Sequence, residues 1–178
     1  FQDLDVTGVS TTLTLGSNVT VAGQLISVPI SGNGPRITGT GVTLTAGGAN
    51  ISALSGFTAL TMDGVPLVLS GGAIPAFSRV TFTNQNPLGI HLTVNNVGQG
   101  SPFTFGNLSF TTGLSAGGFY IQANDLDGPT ANGPLTIDVI GASPAAPSPS
   151  LFNATNGAVI RWPPIGGNFT WTGAVSSD

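Results

Sequence analysis

The segment Asn124–Gly128 is the densest cluster of oxygen-bearing side chains in the sequence. It reads Asn-Asp-Leu-Asp-Gly and separates Asp125 from Asp127 by one residue. A D-x-D-G loop can direct two carboxylates and a backbone carbonyl towards Ca²⁺, which prefers oxygen ligands. The EF-hand pattern also requires a Glu later in the loop, and this chain contains no Glu. We therefore predict either a turn in which Asx side chains cap their own backbone, which we favour, or a calcium site at Asp125 and Asp127.

Acid and base groups for catalysis are scarce. Asp138 alternates outward in the segment Leu135–Ile140, and with Asp125 and Asp127 it suggests the carboxylate pair that glycoside hydrolysis needs. Pectin-cleaving β-helix enzymes gather several acids with Lys or Arg on one face, whereas this chain has no Lys and only scattered Arg. Exposed Asp is also the ordinary case. We therefore predict solvated surface acids and a protein that is not an enzyme.

His91 is the only histidine, and no cysteine or glutamate is present to join it in a zinc site. In the alternating segment Ile90-His91-Leu92 it points opposite to its two apolar neighbours, so we expect it to face solvent. No local arrangement of Ser, His and Asp suggests a nucleophile.

Three aromatic side chains are candidates for stacking on sugar rings: Tyr120, Trp162 and Trp171. An exposed aromatic platform would be the plainest carbohydrate-binding feature of this chain. Trp162, however, follows Ile160 at strand spacing, which favours a cap over the last turn of the fold.

Composition restricts the classes of partner and location. Charged residues make up 6% of the 178 residues, against about a quarter in typical domains. The formal net charge is −4 with only three Arg, so a basic patch for nucleic acid is absent. No apolar run reaches about 18 residues, which argues against a membrane span. No signal peptide is visible and the chain begins at Phe1, so we expect a processed export signal or an internal piece of a longer protein.

Short segments with apolar residues at every second position recur along the chain, separated by Gly, Asn or Pro. They include Thr11–Leu15, Val42–Thr45, Leu60–Met62, Val65–Leu69, Val80–Phe82, Ile90–Val94, Phe103–Phe105, Leu108–Phe110, Phe119–Ala123, Leu135–Ile140, Val159–Trp162 and Phe169–Trp171. A period of two is typical of β-strands, and no segment has helical spacing over a helical length. The sequence therefore predicts an all-β protein.

Approximate internal repeats indicate how the strands are arranged. A shift of 28 residues aligns Phe77, Val80 and Phe82 with Phe105, Leu108 and Phe110. A shift of 29 aligns Ile90, Leu92 and Val94 with Phe119, Ile121 and Ala123. A shift of 27 aligns Leu108 and Phe110 with Leu135 and Ile137. Such periods predict a right-handed parallel β-helix, or solenoid, in which inward side chains stack from turn to turn. Asn-Gly and Asp-Gly hairpin signals keep an antiparallel, pilin-like β-sandwich as the alternative.

Differences in composition and in the spacing of the strand segments suggest two regions. We predict a β-solenoid over residues 1–143, with thin rungs in 1–75 and longer turns in 76–143. Residues 144–178 are predicted to form a Pro-rich loop followed by capping strands.

Two segments, TLTLGSNVTVAG and ITGTGVTLTAGGANIS, resemble the parallel β-helix rungs of large secreted bacterial surface proteins, including adhesin- and autotransporter-like passenger regions. The tail Phe169–Asp178, FTWTGAVSSD, resembles the opening of a module that recurs in such proteins. The resemblance implies a solenoid at a cell surface or outside the cell, and it implies no specific activity.

We therefore expect an extracellular structural or adhesive scaffold that associates with copies of itself into a fibre or surface layer. Free backbone groups on the end rungs would provide the contact. The alternative is a carbohydrate-binding or carbohydrate-active β-helix protein, whose partners would be glycans. A strand-donating pilin-like sandwich shares the fibre function but predicts antiparallel pairing. Apart from a Ca²⁺ ion at Asp125 and Asp127, no cofactor is expected.

Overall fold

The computed structural model describes residues 1–84, 89–111, 114, 117–129, 132–145 and 147–162, and the backbone of 169–171. Nearly all regular structure in these residues is β, and one short 3₁₀ turn spans Pro149–Leu151. The strands are β1 (Leu4–Asp5), β2 (Thr12–Leu15), β3 (Val19–Ser27), β4 (Arg36–Gly39), β5 (Leu44–Ile51), β6 (Leu60–Asp63), β7 (Leu67–Ser70), β8 (Ala76–Ser78), β9 (Val80–Thr83), β10 (Ile90–Asn96), β11 (Phe103–Gly106), β12 (Ser109–Phe110), β13 (Phe119–Asp125), β14 (Thr136–Ile140), β15 (Phe152–Thr155), β16 (Val159–Trp162) and β17 (Phe169–Trp171).

The strands form three parallel stacks, which we call faces 1, 2 and 3. Face 1 contains the first half of β3 and of β5, followed by β7, β10, β13 and β15. Face 2 contains β1, the second half of β3 and of β5, followed by β8, β11, β14 and β16. Face 3 is a separate five-stranded sheet in the order β12-β9-β6-β4-β2. From β3 to β12 the chain visits faces 1, 2 and 3 in that order in each turn, and after β14 only an isolated bridge between Ser143 and Ser109 continues face 3.

This arrangement is a parallel β-solenoid of about six turns, as predicted. Every strand pair in the described residues is parallel except β16–β17, where β17 lies antiparallel along the edge of β16. The antiparallel sandwich considered as the alternative is therefore wrong.

The repeat alignments are confirmed in two of three cases. Phe105 lies beside Phe77 and Phe110 beside Phe82, which is the shift of 28. Phe119 lies beside Ile90, which is the shift of 29.

The shift of 27 is wrong, because Ile137 pairs with Phe103 rather than with Phe110. The loop from β13 to β14 is longer than the loop from β10 to β11, and the added residues displace the later register. Sequence similarity across a loop of changed length therefore aligned strands from different faces.

After the Pro-rich segment, β15 pairs in parallel with β13 on face 1, and β16 pairs in parallel with β14 on face 2. The two strands thus extend the faces of the preceding turn. The division at residue 143 stays a prediction.

The core is a set of columns that run through the interior of the coil. One column on face 2 contains Ile51, Phe77, Phe105 and Val139, each beside the next in register and each almost fully buried. The Phe77 and Phe105 rings lie with their centroids 4.6 Å apart. Because each turn can bury its apolar side chains only against its neighbours, the stack acts as one continuous core.

The corner between faces 1 and 2 brings successive turns unusually close together. A Cβ atom added to Gly72 would overlap the carbonyl oxygen of Gly47, and one added to Gly48 would overlap that of Ala73. These glycines have no positive φ, so close backbone approach explains them rather than backbone conformation.

Candidate functional site

The two predicted calcium ligands lie in different environments, Asp125 at the end of β13 and Asp127 in the loop that follows. Asp125 is fully buried, and its Oδ2 accepts a hydrogen bond of 2.9 Å from the backbone N–H of Leu135. Its Oδ1 is buried without a partner in the described residues. Asp127 is exposed, and its Oδ2 accepts a hydrogen bond of 3.2 Å from the side-chain amide of Asn132.

These contacts show how the carboxylates act on the loop itself. Asp125 holds the start of β14 against the end of β13, and Asp127 bridges the two limbs of the loop. Gly128 has a φ of 73°, which suits a tight turn. No group of three or more His, Cys, Asp or Glu side chains that could hold a metal occurs in the part of the chain described. Calcium binding at Asp125 and Asp127 stays a prediction.

Asp138 points outward from β14, as expected, and its carboxylate pairs with an arginine on the neighbouring strand β16. Its carboxylate accepts two hydrogen bonds from the guanidinium of Arg161, one of them 2.7 Å long at Nη2 and the other at Nε. The hydrogen bonds to Asp138 raise the pKa of Arg161. The pair ties β14 to β16 on the outside of face 2. Whether the protein lacks enzymatic activity stays a prediction.

Two of the three aromatic side chains predicted to stack on sugars lie in the interior. Tyr120 is 8% exposed and Trp162 is 4% exposed. The Tyr120 ring stacks on Phe110 at a centroid distance of 4.5 Å, and Trp162 packs on Phe152 at 5.0 Å. Their ring faces are therefore covered by protein.

Trp162 also packs on Phe110, at a centroid distance of 6.0 Å, and its role as a cap over the last turn stays a prediction. Trp171 belongs to β17, which lies along the edge of β16. The side chain of Trp171 lies outside the described residues, so its sugar-binding role stays a prediction.

His91 is buried rather than solvent-facing, which corrects the expectation from strand alternation. It is 2% exposed, and its ring lies among Phe82, Phe110 and Tyr120, at centroid distances of 5.7, 5.8 and 6.2 Å. Both His91 and the following Leu92 are buried. Strict alternation fails here because β10 begins where the chain bends from face 3 into face 1, and two successive side chains enter the interior at such a corner. Tyr120 occupies the same place at the start of β13.

Burial lowers the pKa of His91 to about 4, from its ordinary value of 6.5. The folded state therefore binds fewer protons than the unfolded state between pH 4 and 6.5. It follows that the free energy of unfolding should decrease as the pH falls through this window, by up to about 3 kcal/mol. Urea denaturation at pH 7 and at pH 4 measures the loss.

The variant His91→Leu is the control for this prediction, because it removes the imidazole and leaves every other side chain in place. Its loss between pH 7 and pH 4 should be smaller than that of the wild type by about the histidine contribution of up to 3 kcal/mol. Equal losses in the two proteins would show that His91 does not control this stability.

The outer surfaces of the faces carry ladders of hydroxyl and amide side chains. On face 1 one outward column contains Thr20, Thr45, Thr93 and Gln122, interrupted by Val68 between Thr45 and Thr93. On face 3 the outward column contains Thr12, Arg36, Thr61, Thr81 and Ser109. None of the described segments is a helix long and apolar enough to cross a membrane.

Comparison with known proteins adds no relative from which a role could be transferred. No protein-family model, no curated protein and no solved structure matches this chain. The function must therefore be argued from the solenoid and its own residues.

Proposed function

We propose that this chain is a structural or adhesive scaffold module that acts outside the cell and associates with copies of itself through an end of the solenoid. We further propose that it belongs to a secreted bacterial surface protein of the adhesin or autotransporter kind. A stack of turns supports such a role, because it forms a stiff body that holds attached segments apart. The sparse charge supports it too, because like-charge repulsion between copies is weak.

The observation that carries the proposal is the free edge of face 3. Strand β2 is the last strand of that sheet, and its only partner in the described residues is β4. Its four residues are Thr-Leu-Thr-Leu, without a charge or a proline that would discourage another strand from pairing.

The free backbone groups of β2 can be identified from its register. The N–H of Arg36 donates a hydrogen bond of 2.7 Å to the carbonyl of Thr11, so the backbone N–H and C=O groups of Thr11 point towards β4. Backbone groups alternate in direction along a strand, so the N–H and C=O groups of Leu13 also point towards β4. The N–H and C=O groups of Thr12 and Thr14 point away from β4. These groups are the ones that a strand of another copy would bind.

Strand β1 is a poorer candidate for the same contact. It has only two residues, Leu4 and Asp5, and Asp3 precedes it. The Asp3 carboxylate accepts a hydrogen bond of 2.8 Å from the N–H of Gln24. Charged side chains beside an edge oppose strand addition, so we place the contact at β2.

Thr14→Lys tests the proposal. The wild-type protein should form oligomers as its concentration rises, and the variant should stay monomeric, because a lysine on the edge strand opposes pairing. Sedimentation velocity over a concentration series measures the effect, and electron microscopy shows the shape of any assembly.

Thr93→Lys is the matched control. It places the same side chain on the outward side of β10, which is paired on both edges, and it should associate like the wild type. If the wild type remains monomeric at high concentration, or if the two variants behave alike, association through the β2 edge is ruled out.

A further inference from the structure

A shallow cleft of about 300 Å³ lies on the outside of the solenoid, where face 2 turns into face 3. Its lining includes Phe57, Thr58, Arg79, Thr81, Asn107 and Ser109. These residues come from successive turns: the loop before β6, the corner between β8 and β9, and the corner before β12. The coil therefore assembles the cleft from residues that are distant in the sequence.

Arg79 is the cation of this cleft, and no carboxylate of the described residues pairs with it. Arg36 is paired with Asp63, and Arg161 with Asp138. For Arg79, the described residues provide neither an ion pair nor a side-chain hydrogen bond, although the residue is partly buried. The guanidinium retains its capacity to bind an anion through two parallel N–H groups.

The backbone at Arg79 makes this arginine more unusual. Its φ is 59°, in the left-handed region, where side chains other than those of Gly, Asn and Asp are uncommon. The next two turns place Asn107 and Gly141 at the equivalent corner, with φ values of 53° and 66°. These three successive turns each have a left-handed residue at this corner, and two of the three use the residue types that suit it. Conformation does not explain the arginine, and strain of this kind is typical of functional sites.

The surroundings of Arg79 suit a sugar with a negative charge. Phe57 is 37% exposed and lines the cleft, so part of the residue is open to a ligand. Thr81 and Ser109 are neighbours in the outward column of face 3, and their hydroxyls can donate or accept hydrogen bonds. The lining contains no acidic side chain that would compete for the guanidinium.

We propose that this cleft binds an acidic glycan, with the guanidinium of Arg79 pairing with a carboxylate or sulfate group of the sugar. Phe57 stacks on the apolar face of the ring, and the hydroxyls of Thr81 and Ser109 bind its oxygens. The site does not depend on self-association, because it contains no residue of β2. It also differs in position from the buried aromatic side chains Tyr120 and Trp162.

Titration calorimetry with oligogalacturonate, dextran sulfate and uncharged dextran tests the proposal. The wild type should bind one or both of the charged glycans and not the uncharged dextran. Binding of oligogalacturonate alone identifies a uronate as the ligand group, and binding of dextran sulfate alone identifies a sulfate. Failure to bind either charged glycan would overturn the proposal, as would equally tight binding of an oligo-aspartate peptide.

Arg79→Asn should weaken binding at least about tenfold, because a charge-assisted pair is lost. The variant should remain folded, since Asn107 occupies the same corner of the next turn, and its melting temperature should rise by about 2–4 °C as strain is relieved. Arg161→Asn removes the same charge elsewhere and should leave affinity within about twofold. Equal weakening in the two variants would show that only net charge matters.

Phe57→Ala probes the stacking contact separately. It should weaken glycan binding roughly threefold to tenfold, while the affinity for inorganic sulfate should not change. If Phe57→Ala leaves glycan affinity unchanged, the cleft binds the anionic group without the sugar ring, which contradicts the proposal.

Discussion

Replacing Phe105 with alanine is expected to lower the free energy of unfolding by about 3–5 kcal/mol. Phe105 is fully buried on face 2, beside Phe77 on one side and Val139 on the other. Truncation would leave a cavity inside the column, and the backbone ladders on both sides prevent the turns from closing it. Urea denaturation followed by circular dichroism measures the change.

Two further variants control the Phe105 prediction. Phe105→Leu keeps most of the buried volume and should cost less than the alanine variant. Thr104→Ala changes the exposed neighbour on the same strand and should stay within about 0.5 kcal/mol of the wild type. If Phe105→Ala is as stable as Thr104→Ala, the interior columns do not hold the fold together.

Replacing Gly72 with alanine is expected to cost about 3 kcal/mol, although the change adds a single methyl group. The new Cβ would overlap the carbonyl oxygen of Gly47 in the preceding turn. Backbone atoms cannot rotate away as a side chain can, so the two turns must separate and strain or lose ladder hydrogen bonds. Overpacking of this kind typically costs about 1–3 kcal/mol, and a contact with backbone should lie at the upper end.

Gly16→Ala is the matched control, because a Cβ at Gly16 meets no atom within 4 Å and its φ is not positive. It should be neutral or stabilising by about 0.4–1 kcal/mol, since alanine restricts the unfolded chain. Thermal unfolding of the two variants under one set of conditions gives the comparison. A neutral Gly72→Ala would mean that the corner between faces 1 and 2 is wider than the structure shows.

Both predictions concern the same source of stability. The chain has no cysteine, so no disulfide restricts its unfolded state. The described residues contain two ion pairs, and the arginine side chain of each pair is exposed to solvent. Stability therefore depends on interior packing and on the close spacing of turns, which is why single substitutions there should have large effects.

The sequence was sufficient to predict the class of fold and part of its register. Alternation of apolar and hydroxyl residues predicted strands, and the approximate repeat from Phe77 to Phe105 predicted which strands are neighbours. This worked because one face of each strand must be buried, and each interior residue stacks on an apolar residue of the next turn. The outward position of Asp138 followed from the same alternation.

Alternation did not predict what happens at the corners, where the chain changes direction. His91 and Tyr120 are buried there because two successive side chains enter the interior, and this depends on the bend between faces. The cleft around Arg79 was not recognised, because its residues come from turns that are more than 20 positions apart. The residue type does not indicate the positive φ of Arg79, since arginine rarely adopts a positive φ.

The sequence by itself determined that the chain is all-β, sparsely charged and repetitive enough to stack on itself. Only the tertiary structure decided how the chain divides into three faces, how long each turn is and which residues surround Arg79. The physical reason is that strand formation depends on local alternation of side chains. The position of each corner, in contrast, depends on loop length and on backbone contacts between one turn and the next.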